Sequence, residues 1–149
     1  MALGLALVAL AAGCDGGVEP GSGGSSRLAH AERSLQAELE AAAGRLDLAA
    51  APGERVAPTR CDDRAAAAVT SGYRLRTAIG AGDTEELLHR AAAFWRERGR
   101  EVRVVASKGA FPAVFATAEP GWTFSLQLFP ERGVALLSGG TPCLPDPKA

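Results

Sequence analysis

DTEELLHRAAAFWRERGREVRVVASKGAFPAVFATAEPGWTFSLQLFPERGVALLSGGTPC, residues Asp83 to Cys143, changes its hydrophobic period once, and that change decides the fold. The first part is helical. Asp83 is a good N-cap, and Glu86 stands three residues on, as in a capping box. Leu87, Leu88, Ala91, Phe94 and Trp95 follow at helical spacing and form one apolar stripe. Asp83, Glu85 and Glu86 crowd the first turn and Arg96, Arg98 and Arg100 the last, which complements the helix dipole. Gly99 is a C-terminal stop, so the spacing predicts a helix over 83–99.

Beyond Gly99 the period is two. Val102, Val104 and Ala106 share a face, as do Phe111, Ala113, Phe115 and Thr117 in the next run. Phe124, Leu126 and Leu128 share a face of the third run, and Val134 and Leu136 of the fourth. Turn residues separate the runs: Lys108-Gly109, Glu119-Pro120-Gly121 and Pro130-Glu131-Arg132-Gly133. Connections this short favour a four-strand antiparallel meander over 102–138. A fifth strand is expected upstream, where Tyr73, Leu75, Thr77 and Ile79 alternate with Arg74, Arg76 and Ala78. A first helix is expected over 27–50, from Leu28, Ala31, Leu35, Leu39, Ala42 and Leu46. Between it and the strand, Pro52, Gly53 and Pro58 read as a break, and Asp62 or Asp63 as the cap of a short helical turn. The expected fold class is α+β: a two-layer sandwich, an antiparallel sheet of four or five strands with two helices packed on one face.

The chain has 149 residues and a formal net charge of −1, enough for one modest domain with appendages and no global field toward nucleic acid. Residues 1–13 are apolar and small and end Leu10-Ala11-Ala12-Gly13 before Cys14. This resembles the lipobox of a bacterial lipoprotein signal peptide. The resemblance implies cleavage before Cys14 and a diacylglyceryl group on its sulfur. Ala11 stands where Leu is commoner, and no Lys or Arg precedes the apolar run. A dozen residues at about 1.5 Å each cover ~20 Å, short of the ~30 Å hydrocarbon core. Residues 14–26 are Gly/Ser-rich and read as a tether, leaving 27–145 as a single domain.

With Cys14 acylated, two of the three cysteines remain, Cys61 and Cys143, and an even remainder in an exported chain suggests one disulfide. There is no Cys-x-x-Cys, and His30 and His89 stand at no recognised ligand spacing, so neither a redox motif nor a metal site is expected. The lipobox, the tether, the Cys61-Asp62-Asp63 segment, the Phe94-to-Gly99 helix end and the final Gly140-Thr141-Pro142-Cys143-Leu144-Pro145 together resemble small LppA-like lipoproteins of high-GC Gram-positive bacteria. That resemblance implies a membrane-anchored protein of uncharacterised function and carries no catalytic residues.

Ser138-Gly139-Gly140 is similar to the Ser-Gly-Gly of trypsin-like proteases, but Leu137 precedes it and the chain is too short for that double barrel. No nucleophile elbow, phosphate loop or dinucleotide fingerprint is present in the sequence. Arg96, Arg100 and Arg103 belong to a locally basic region open to two readings, a contact for anionic headgroups or cell-wall polymers and a solvated helix end. Trp122 beside Gly121 is open to two readings as well, a ligand-facing aromatic and a lid on a small core. The expectation is a lipid-anchored protein on the extracytoplasmic face of the cell membrane, without cofactor or enzymatic activity. It would bind an envelope protein or a cell-wall polymer, or serve the envelope structurally. The alternative is a small envelope enzyme or enzyme inhibitor.

Overall fold

A computed structural model describes residues 22–49, 51–61, 67–80, 82, 84–105 and 111–148. The chain runs α1 (Ser22–Arg45), β1 (Glu54–Arg60), β2 (Ala68–Ala78), α2 (Thr84–Glu97), β3 (Glu101–Val105), β4 (Ala113–Ala118), β5 (Trp122–Phe129), a 3-10 turn (Pro130–Arg132), β6 (Val134–Gly140) and β7 (Leu144–Pro145). All pairings are antiparallel. The strand order is β1-β2-β6-β5-β4-β3, and β7 pairs with the start of β2. The meander is therefore β3 to β6, and α2 carries the chain from β2 to the far edge.

Among the described residues the sheet has seven strands, not four or five. The additional ones are β1 and β7. Pro52, Gly53 and Pro58 signalled a break, yet β1 is an edge strand, where a proline costs no ladder bond on its open side. Pro58 lies in the irregularity between the pairs Val56–Gly72 and Thr59–Thr70. β2 begins at Ala68, inside the run read as a helical turn. Asp62, Asp63, Asp83 and Lys108-Gly109 lie outside the described residues. The first helix starts at Ser22 and ends at Arg45, earlier at both ends than the expected 27–50. At the far end of α2, Gly99 adopts φ +71°. Its N–H donates to Arg96 O (2.9 Å) and that of Arg100 to Trp95 O (3.0 Å), the two bonds of a Schellman stop.

Register places Tyr73, Gly139, Phe124, Ala116 and Val102 side by side in one row across the sheet. Leu75, Leu137, Leu126 and Val114 form the next row. Leu35, Leu39 and Ala42 of α1, Leu46 just past its end, and Leu87, Leu88, Ala91 and Trp95 of α2 bury themselves on these rows in one cluster. The helices are alanine-rich and come close. A Cβ on Gly139 would lie 2.6 Å from Thr123 O and 2.8 Å from Leu35 Cδ1, so the absence of a side chain lets α1 rest on β6. Arg100 joins the two helices through Glu38, with Nε to Oε1 at 3.3 Å and Nη2 to Oε2 at 3.1 Å. Ser71 Oγ donates to Glu32 Oε1 (2.7 Å) and ties β2 to α1.

Phe115, Ala113, Val134 and Leu136 occupy the other parity. Their side chains face the side of the sheet that carries no helix, in rows they share with Ser125, Ser138, Gln127 and Arg103. Both faces of the meander are thus partly apolar, and only one is covered among the described residues.

Two expectations follow. Gly139→Ala should lower stability by roughly 1–3 kcal/mol, because the clash includes a backbone oxygen that cannot step aside; thermal unfolding checks it. Tyr73 is buried and donates to Glu40 Oε1 at 3.3 Å. Burial first, and the nearby Glu40 carboxylate second, raise its phenol above the ordinary value near 10. The folded state therefore holds that proton more tightly than the unfolded chain. Its contribution is full below the ordinary value and is lost as pH rises through the higher folded one. Unfolding midpoints should fall above about pH 10, and Tyr73→Phe should flatten that part of the profile.

Candidate functional site

The helix-free face holds a cleft of about 430 Å³. Its floor is set by two facing glycines, Gly72 of β2 and Gly140 of β6. A Cβ on Gly72 would meet Val56 Cβ at 3.0 Å, and one on Gly140 would meet Thr123 Oγ1 at 3.0 Å. The trough exists because neither position has a side chain. Around it stand the hydroxyls of Thr59, Thr70, Thr123, Ser125 and Ser138, with Val56 and Phe115 as apolar walls. Ser125 Oγ and Ser138 Oγ are hydrogen-bonded at 2.8 Å. Thr70 Oγ1 donates to Thr141 O at 2.7 Å, which fixes one wall. Arg103 lies over the Phe115 ring at 5.0 Å, at the β3 side of the row that runs through Ser125 and Ser138 to Arg74.

Among the described residues, no titratable side chain lines this cleft. A hydroxyl can donate and accept, so the lining can match a neutral, hydroxylated ligand without desolvating a charge. Ser138 of the Ser-Gly-Gly run is partnered by Ser125, with no base or carboxylate bonded to either hydroxyl among the described residues. The arrangement suits binding; nucleophilic attack would need an adjacent general base.

A second groove, of about 500 Å³, lies on the helix side between α1 and the chain around β5 and β7. Trp122, Pro120, Pro142, Leu144 and Ala31 line it with Ser26, Arg27, His30 and Ser34. Trp122 is half-buried and is the outer end of an aromatic row. Its ring stacks on Phe124 (centroids 6.3 Å apart, planes within 2°), Phe124 on Trp95 (6.3 Å), and Trp95 meets Phe94 edge-on at 6.1 Å. Trp95 is fully buried, and its Nε1 has no hydrogen-bond partner. Stacking and apolar burial hold that side chain in place.

The residues singled out from the sequence do not converge on one site. Cys14 lies outside the described residues. Trp122 opens into the second groove. Arg100 is held by Glu38 and lies over Phe124 at 5.3 Å, so it serves the contact between the helices. Arg96 is exposed on α2, and Arg103 is on the opposite face of the sheet from Trp122. The hydroxyl cleft was not read from the sequence. Its only linear trace is Ser138 and the adjacent Gly139-Gly140, because the rest comes from pairings between five strands. Among the described residues, no group of His, Cys, Asp and Glu is placed to hold a metal ion, and no helix is long and apolar enough to cross a membrane.

Cys61 and Cys143 are bonded, with Cα atoms 6.2 Å apart and a sequence separation of 82. The bond joins the end of β1 to the segment between β6 and β7. Beside it, Thr141 N–H donates to Ser71 O (2.9 Å) and Ser71 N–H to Thr141 Oγ1 (3.0 Å). Both ties meet at the start of β2, next to the glycine floor of the cleft.

Comparison with family models, with curated proteins and with solved structures finds no match to this chain. The chain is an α+β protein with a disulfide-tied antiparallel sheet.

Reduction, or Cys61→Ser with Cys143→Ser, should lower unfolding stability by about 2–5 kcal/mol, with ~4.5 kcal/mol given by loop closure over that separation. Denaturant unfolding with and without reductant checks it. Equal stability in both forms would contradict a structural role for the bond.

Proposed function

We propose that this protein is a lipid-anchored extracytoplasmic binding protein, held to the cell membrane through acylated Cys14, with the helix-free cleft as its ligand site. The observation that carries this reading is the Cys61–Cys143 bond. Disulfides persist in oxidising compartments, so the bond supports export. Export in turn gives the apolar run before Cys14 a purpose. Two acyl chains on one sulfur supply a hold that a single chain does not. The polarity of the cleft supports a neutral hydroxylated partner, and the one that chemistry favours outside the membrane is a cell-wall polysaccharide. The role we propose is non-enzymatic; among the described residues the cleft presents hydroxyls, with Ser125 and Ser138 bonded to each other.

Two measurements test the reading. Detergent partitioning and mass analysis of the mature protein should find acylated Cys14, and Cys14→Ala should release the protein from membranes. Co-sedimentation with isolated cell-wall polysaccharide should be weakened about fivefold by Thr123→Val or Ser138→Ala, the effect of about 1 kcal/mol for one hydrogen bond. Unchanged co-sedimentation in both variants would remove the cleft from the account.

A further inference from the structure

The groove at Trp122 is lined in part by Ser26, Arg27 and His30 of α1, the first described element after Cys14 in sequence. α1 begins at Ser22, eight residues after Cys14. Fully extended, that length of chain spans no more than about 28 Å. Arg27 and His30 follow within about 8 and 12 Å of the helix start, at 1.5 Å per residue. A domain anchored at Cys14 therefore has Arg27 and His30 within about 40 Å of the anchor, a distance from which the groove can reach the bilayer.

The lining matches what lies there. Trp122 presents an amphipathic indole, the side chain suited to the headgroup level of a membrane. Pro120 and Leu144 extend the apolar surface beside it. Among the described residues, Arg27 is exposed at the rim with no ion pair and no carboxylate lines the groove, and His30 stands one turn along. Apolar walls topped by a guanidinium fit a molecule with a phosphate above an ester-linked chain. The hydroxyl cleft on the opposite face has no cation in its lining among the described residues and does not fit it.

We infer that this groove seats an anionic phospholipid of the anchoring leaflet, its phosphate on Arg27 and its glycerol-ester region against Trp122. The domain then has a fixed orientation, with the hydroxyl cleft on the sheet face away from the helices. The inference rests on the acylation of Cys14 proposed above.

The chain provides its own probe pair. Its two tryptophans are Trp122, half-exposed in the groove, and Trp95, fully buried. The acylated protein is reconstituted into phosphatidylcholine–phosphatidylglycerol vesicles whose acyl chains carry bromine, and tryptophan emission is read after flotation. The expected result is loss of the Trp122 emission by bromine quenching, with Trp95 spared, so that Trp122→Phe abolishes the quenchable part. Arg27→Gln, and replacement of phosphatidylglycerol by phosphatidylcholine, should each weaken the quenching. Protein that floats with the vesicles but keeps its full emission overturns the inference and leaves the anchor standing. Protein that fails to float overturns the anchor and the inference together.

Discussion

The covalent tie between Cys61 and Cys143 is the constraint on which the rest of the arrangement depends. It brings the end of an edge strand against the segment that leaves β6, with β2 between them. β1 has little of its own to hold it. Its side chains are mostly exposed, and Val56 is half-buried. The bond and the Thr141–Ser71 hydrogen bonds fix that border from one end. The glycine floor of the cleft lies one or two residues further along the same strands, so its width follows from the same tie.

A fold of this size with so much alanine has a limited core. Trp95 and the leucines at 35, 39, 46, 126, 128 and 137 are among its largest fully buried side chains. Close approach offsets the small side chains. Gly139 admits Leu35, and Arg100 with Glu38 clasps the helices from a half-buried position. The helices cover one face of the sheet, and what is left open is not a plain polar surface. It carries a glycine-floored trough and the apolar side chains of Phe115 and Leu136 in adjacent rows, which is a reason to assign recognition to that face.

The sequence made α2 and the meander legible because each carries a strong period and an explicit stop. Gly99 stops α2 by its left-handed conformation, and Gly121, at φ +129°, turns β4 into β5. β1 was not legible, since proline and glycine mark breaks in isolation and only the pairing with β2 shows that an edge tolerates them. The early start of α1 was hidden by its Ser/Gly composition, which reads as tether although Leu28 and Ala31 dock and the preceding turn continues the helix. The face on which Phe115 and Leu136 stand was also hidden, because alternation tells which residues share a side and not which side is covered. Trp122 was legible as a candidate because a tryptophan after a turn glycine is conspicuous. The five hydroxyls of the cleft come from β1, β2, β5 and β6, and no linear pattern joins them.

Export to an oxidising compartment is the central claim, and the redox state of the cysteines inside the producing cell tests it most directly. Cells are quenched in acid, thiols are blocked with a maleimide before any reductant is added, and the intact mass of the protein is read. The account expects Cys61 and Cys143 to stay unlabelled and to take up the label only after reduction. Two maleimides on those residues before reduction would contradict it.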